Sequence, residues 1–141
     1  SASQAVPRDL AQASQERYSD TPAAGPLVVG LDPARNGGDA PALAFRRGLR
    51  LLGVEALPSG DGPTVAGAAL ARIREVREAE GVKPWEVVEI RIDPIGVGAS
   101  PLDYLREAEG AGEMVRVVEV NAAESADEPD VERWYGLECE P

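Results

Sequence analysis

The chain alternates short apolar runs with polar breaks, and two of the runs end in the same way. Leu27-Val28-Val29-Gly30-Leu31 leads into Asp32-Pro33, and Val87-Val88-Glu89-Ile90-Arg91-Ile92 leads into Asp93-Pro94. Residues 27–31 are apolar without interruption, as in a central strand covered on both faces. After the loop Arg35–Asp39, the pattern predicts a second strand around Ala42–Arg46, a turn at Gly48 and a third strand over Arg50–Leu57. Pro58–Pro63 is a Gly- and Pro-rich break. Thr64–Glu80 then carries a helical period. Val65, Ala69, Ile73 and Val76 share one stripe, with Thr64 as the expected N-cap and Gly81 as the terminator. Arg72, Arg74, Glu75, Arg77 and Glu78 fill the other faces and read as solvated. A fourth strand is expected over Glu86–Ile92. A helix follows from Pro101 to Glu109 with Ser100 as its cap, then a fifth strand over Val115–Val120.

Outside this series the pattern is weaker. Residues 1–26 read as an approach segment, with a short helix over Pro7–Tyr18 that places Leu10 and Ala13 on one side. Ser19–Pro26 is a linker or turn. Ala122–Pro129 is acidic and loop-like, and Val131–Leu137 is a short helix or an ordered tail. Residues 27–141 therefore make one domain of order β-β-β-α-β-α-β. This is an α/β chain whose mixed sheet is flanked by helices. It is also the element order of the ribonuclease H-like fold, in which the first and fourth strands are adjacent and parallel. That topology makes Asp32 and Asp93 neighbours at one edge of the sheet.

Composition narrows the chemistry. The 141 residues suffice for one genuine core. No apolar run approaches the roughly 20 residues of a membrane span, and no signal-peptide pattern opens the chain. A soluble, intracellular protein is expected. Cys139 is the single cysteine, so an internal disulfide is excluded. Histidine is absent, which excludes His-based zinc sites and Ser-His or Cys-His nucleophiles. The formal charge of −11 argues against strong nucleic-acid binding by this chain alone. Chemistry is left to carboxylates, acting through a metal.

Two carboxylates at neighbouring strand ends are hard oxygen donors suited to Mg²⁺ or Mn²⁺. Two-metal phosphoryl chemistry needs acidic oxygens holding cations about 3.5–4 Å apart. The bland alternative is that each Asp-Pro marks a strand exit, with Asp making a local turn bond. Gly96-Val97-Gly98-Ala99-Ser100 is a glycine loop entering a helix, where backbone N–H groups attract anions. The same glycines also serve a sharp turn beside Asp93, and no GxxxxGK[ST] loop for ATP is present. Arg46, Arg47 and Arg50 gather at the hairpin tip and Arg35 follows Asp32. They are candidates for contact with a nucleic-acid backbone or simply a solvated hairpin. Asp39, Asp103, Glu124, Asp127, Glu138 and Glu140 are further acids, with Asp103 in a helical first turn that favours negative charge in any case.

Residues 28–39, VVGLDPARNGGD, and Leu43–Gly48 resemble the opening of the nuclease domain of tailed-phage large terminase subunits, G-x-D-x-A-x-x-G-x-D followed by R-x-G. Residues 92–99, IDPIGVGA, with Asp103 and Leu105, are similar to that family's second acidic motif, D-x-x-G-V-G-A-x-x-x-D-x-L. The resemblance implies a ribonuclease H-like endonuclease of a phage or prophage, dependent on Mg²⁺ or Mn²⁺, that cuts concatemeric viral DNA. By the same resemblance Asp32 and Asp93 are catalytic acids and metal ligands, and Asp39, which matches a loop acid of the family, is a further candidate metal ligand. Gly96, Gly98 and Glu140 would line the cleft. Double-stranded DNA, the terminase ATPase domain, the portal and the small terminase subunit are the implied partners, in the host cytoplasm and with no membrane. Residues 134–140, WYGLECE, look like a degraded form of the family's N-L-R-A-E segment. The family's third acid, in an S-P-D-x-A-D-A motif beyond it, has no counterpart here. The expectation is an incomplete nuclease domain, weak in metal binding at micromolar concentrations and weak or inactive alone. A non-catalytic module of the same fold, docking to the packaging motor or portal, is the alternative.

Overall fold

The unbroken apolar run becomes the middle strand of a five-stranded sheet. A computed structural model describes residues 6–18, 22–34, 39–93 and 100–121. It contains α1 (Arg8–Tyr18), β1 (Leu27–Asp32), β2 (Ala42–Arg47), β3 (Arg50–Ala56), α2 (Gly62–Ala79), β4 (Val88–Ile92), α3 (Pro101–Gly110) and β5 (Val115–Glu119). The strand order is β3-β2-β1-β4-β5. β1 is antiparallel to β2 and parallel to β4, and β4 is parallel to β5. From β1 on, this is the expected α/β order with its mixed sheet.

Alternation along the strands separates two unlike faces. Leu27, Val29, Leu31, Leu43, Phe45, Val88, Ile90, Ile92 and Val115 are all buried on one of them. Val65, Ala66, Ala69 and Ile73 of α2 and Leu102 and Leu105 of α3 close that core from above. Both crossover helices thus lie on the same face. The opposite face carries Val28 and Gly30, which are only half-buried. The expectation that β1 is covered on both faces therefore holds fully for one face among the described residues.

The helix ends follow from capping chemistry. α2 begins at Gly62 rather than Thr64, because the Asp61 carboxylate accepts the Thr64 N–H at 3.0 Å and is itself the N-cap. Pro63 is accommodated in the first turn, where its missing N–H costs nothing. At the other end the Gly81 N–H reaches Glu78 O and the Val82 N–H reaches Arg77 O. This Schellman arrangement requires the left-handed backbone of Gly81, φ 65°. α3 is capped by Ser100, whose Oγ accepts the Leu102 N–H, and ends by the same pattern at Gly112.

The β2–β3 hairpin turns at Gly48, with φ 54° and no room for a side chain. A Cβ there would lie 2.2 Å from the Ala24 carbonyl oxygen. Leu52 is the extra residue of a bulge between Phe45 and Arg46. α1 buries no residue. Leu10 is exposed and Ala13 half-buried, and the helix meets the sheet through Tyr18. The Tyr18 hydroxyl donates to Leu51 O, and the Arg50 guanidinium sits 5.6 Å from the ring centroid.

Candidate metal centre

The register pairs Leu31 of β1 with Ile92 of β4. Asp32 and Asp93 are the next residues on these two parallel strands. Neighbouring strands lie roughly 4.8 Å apart, so the two acids leave the sheet side by side. Alternation turns both toward the face opposite the α2–α3 core. Asp32 is exposed and Asp93 half-buried.

The turn after Asp32 is shaped by its own carboxylate. Oδ1 accepts the Ala34 N–H at 3.1 Å, the local bond of a strand exit. Ala34 takes up φ 55°, a left-handed conformation unusual for a residue with a Cβ. Oδ2 is not engaged in that bond. The bland reading of Asp32 is therefore present in the structure, and it engages one of the two carboxylate oxygens.

Several other groups share this end of the sheet. Asp32 pairs with Ala42, so β2 begins at this end of the sheet, and the exposed Asp39 precedes it by three residues. Ala56 pairs with Ala42 as well, so α2 starts at this end, and α3 starts here after β4. Both helix N termini thus lie at this end of the sheet, on the face opposite the one from which the acids project. Asp103 occupies the first turn of α3 and is exposed. Asp61, at the start of α2, is held below the usual carboxylate value, chiefly by its hydrogen bonds from Thr64.

Other expected site residues are placed elsewhere. β1 and β2 are antiparallel and Leu27 pairs with Arg47, so the hairpin tip lies at the opposite end of the sheet. Five residues of strand separate it from Asp32, roughly 16 Å. Arg47 donates from Nη1 to Glu80 O at 2.9 Å and from Nε to Gly25 O at 3.1 Å, tying the hairpin to the C terminus of α2. Arg46 donates to Gly48 O beside it. Neither flanks the acid pair. Arg35, Gly96, Gly98 and Glu140 lie outside the described residues.

One structurally engaged cation was missed by the helical period. Arg77 was expected on a solvated face, yet it is half-buried and donates to three carbonyls: Met114 O at 2.8 Å, Glu86 O at 2.8 Å and Lys83 O at 3.1 Å. Arg72 bonds Glu55 at 2.6 Å, and Arg74 pairs with Glu113. The signal for Arg77 lay in the loop that wraps it, which a one-helix reading does not contain.

The acid pair has the donor chemistry for a hard divalent cation. Mg²⁺ is commonly held by one or two carboxylates, with waters and substrate phosphate completing its shell. Among the described residues no three His, Cys, Asp or Glu side chains group closely enough to hold a metal ion together. Two carboxylates alone would fill only part of such a shell.

Comparison with solved structures places this geometry in a known architecture. The nuclease domain of the large terminase subunit of bacterial virus Sf6 aligns with a TM-score of 0.57 and 22% identity, over 85% of this chain and 47% of that one. The two share a fold. A mutant of the Sf6 domain with calcium aligns with a TM-score of 0.58 and 22% identity, over 87% of this chain and 49% of the other. A mutant with manganese and beta-thujaplicinol gives 0.57 and 20%, over the same shares. The chain spans about half the length of these domains. No protein-family model and no curated protein matches the chain. At this identity the likeness establishes the ribonuclease H-like α/β fold, and no helix among the described residues is long and apolar enough to cross a membrane.

Proposed function

We propose that this chain is the core of a metal-dependent endonuclease domain of a viral DNA-packaging terminase, cutting concatemeric double-stranded DNA. The observation that carries the reading is the adjacency of Asp32 and Asp93 at the carboxyl ends of paired parallel strands. The shared fold with the Sf6 domain supports it, as do the manganese and calcium in two of those structures. In this reading Asp32 and Asp93 are the ligands of bound Mg²⁺ or Mn²⁺, and Asp39 approaches from the β1–β2 loop. Bound metal supplies a polarised phosphate and an activated water. The residues of this chain fix the ligand oxygens: the Ala34 N–H orients the Asp32 carboxylate through Oδ1, and the β1–β4 register holds the two acids together. A further acidic ligand is required from outside the pair. Glu140, Gly96 and Gly98 are assigned to the cleft and Arg35 to the DNA flank. The ATPase domain, portal and small subunit are the partners that this reading implies.

A plasmid-nicking assay with Mn²⁺ tests the assignment. Asp32→Ala and Asp93→Ala are each expected to lower metal-dependent nicking by at least the roughly 10–100-fold that loss of a mere outer-shell partner costs. Nicking that survives both substitutions rules out the acid pair as ligands. The second reading is a non-catalytic module of the same fold, docking to motor or portal. It is favoured by the partial ligand shell among the described residues and by the formal charge of −11, which repels DNA phosphate. It predicts no metal-dependent nicking by the intact parent protein.

A further inference from the structure

The two outer strands of the sheet are finished differently. β5 forms one edge, and its outward Val117 N–H donates to the Glu109 carboxylate at 3.0 Å, so α3 guards that edge with a side chain. β3 forms the other edge. The Leu57 N–H turns inward to Pro41 O at 2.7 Å, and an antiparallel ladder alternates, so Val54 and Ala56 direct their N–H and C=O groups outward. Both residues are exposed, Val54 by 64%. Toward the hairpin the Tyr18 hydroxyl takes the Leu51 carbonyl and closes that end of the edge. Among the described residues no strand, helix or turn takes the four outward main-chain groups of Val54 and Ala56.

We infer that this stretch of β3 accepts an antiparallel strand from a partner protein, and that the incoming strand carries a basic residue between two apolar ones. Val54 pairs with Ala44 and shares its face of the sheet, so side chains laid opposite Val54 and Ala56 meet an apolar surface. Glu55, between them, points to the other face, where Arg72 of α2 donates to it at 2.6 Å. The same guanidinium donates to Glu75 at 2.5 Å. One cation thus serves two carboxylates, and a lysine or arginine opposite Glu55 supplies a second counter-charge. A second copy of the chain is disfavoured by the same carboxylate. Antiparallel self-pairing that joins Val54 to Ala56 sets Glu55 opposite Glu55. The arginines toward the hairpin are turned elsewhere: Arg46 donates to Gly48 O, and Arg50 lies over the Tyr18 ring. The edge is two strands away from β1, and it serves a partner whether or not Asp32 and Asp93 hold a metal.

Titration of the isotope-labelled full chain with two blocked peptides, TTVKVTT and TTVEVTT, tests this by amide NMR. The lysine peptide is expected to shift the Val54 and Ala56 amides and to slow their hydrogen exchange, and the glutamate peptide to bind about tenfold more weakly. Glu55→Lys is expected to reverse that order, which a general attraction of the acidic chain for basic peptides would not do. Val54→Pro removes an outward N–H that the β2–β3 ladder does not use, and is expected to abolish binding while the other amide positions stay in place. Ala56→Pro serves equally should Val54→Pro not fold. Equal affinity for the two peptides overturns the inference, as does an order that survives Glu55→Lys. Shifts centred on the acids of α3 rather than on β3 overturn it too. Slow exchange at Val54 and Ala56 without peptide means that the edge is already filled. If that protection grows with protein concentration, the occupant is a second copy, and either result is equally fatal.

Discussion

Ala34 carries more information than its size suggests, because its backbone is what a strand exit at Asp32 demands. Holding an L-residue in the left-handed region costs about 1–2 kcal/mol, and glycine there gives back roughly 0.5–1 kcal/mol in unfolded-chain entropy. Ala34→Gly is therefore expected to stabilise the fold by up to about 1 kcal/mol in urea titration, and Ala34→Val to destabilise it. Equal midpoints for all three would mean that the turn is not held by Asp32 Oδ1. Asp61 gives a pH-dependent counterpart. Its carboxyl is held low in the folded chain by hydrogen bonds from Thr64, so its contribution is fully present above the unfolded value and is lost as pH falls through the folded one. Asp61→Ala is expected to melt below the parent at neutral pH. The gap should close as the solution is taken below about pH 4, the ordinary aspartate range. Asp61→Asn, which keeps an acceptor for the Thr64 N–H, is the control without a titrating group.

At the scale of elements, the clearest lesson is how α2 is tied in. Its apolar stripe was legible because Val65, Ala69 and Ile73 recur with the helical period, and all three are buried. Its start was misplaced by two residues, since Gly62-Pro63 reads as a break until Asp61 is recognised as the cap. The role of Arg77 was illegible for a different reason. A helical period assigns a residue to a face, but it does not say that residues 83–86 and Met114 will present their carbonyls there. Arg77→Met keeps the aliphatic stem and removes the donors, leaving three acceptors to find water. It is expected to cost about 1–3 kcal/mol in urea unfolding. Arg72→Met, which removes the partly exposed ion pairs with Glu55 and Glu75, should cost much less. Equal losses would mean that the carbonyl contacts of Arg77 are solvent-equivalent.

For the whole molecule, strand order was the most legible feature and helix placement the least. Connection rules make β1 and β4 neighbours once two crossovers are counted, and so bring Asp32 beside Asp93. The same rules put the tip of the antiparallel β2–β3 hairpin at the far end, which is why Arg46 and Arg47 are not beside the acids. That both helices share one face depends on packing among Ile73, Leu102, Leu105 and the strands, which a strand-by-strand reading does not supply. The acid pair then makes a prediction with two opposite signs. Carboxylates separated by no more than the spacing of neighbouring strands, about 5 Å, would repel by roughly 0.8 kcal/mol in a water-like dielectric. Asp32→Asn removes that repulsion but keeps an acceptor for the Ala34 N–H, so without metal its melting temperature should rise slightly above the parent. With Mn²⁺ the order should reverse. Stabilisation by a ligand is RT ln(1 + [L]/Kd), about 1.4 kcal/mol when the ion is at ten times its Kd, and a partial shell puts that regime in the millimolar range. Micromolar Mn²⁺ should shift neither protein, and millimolar Mn²⁺ should raise only the parent. A carboxylate kept merely for the turn would give the two proteins the same response to the ion, and differential melting curves over a Mn²⁺ titration separate the two cases.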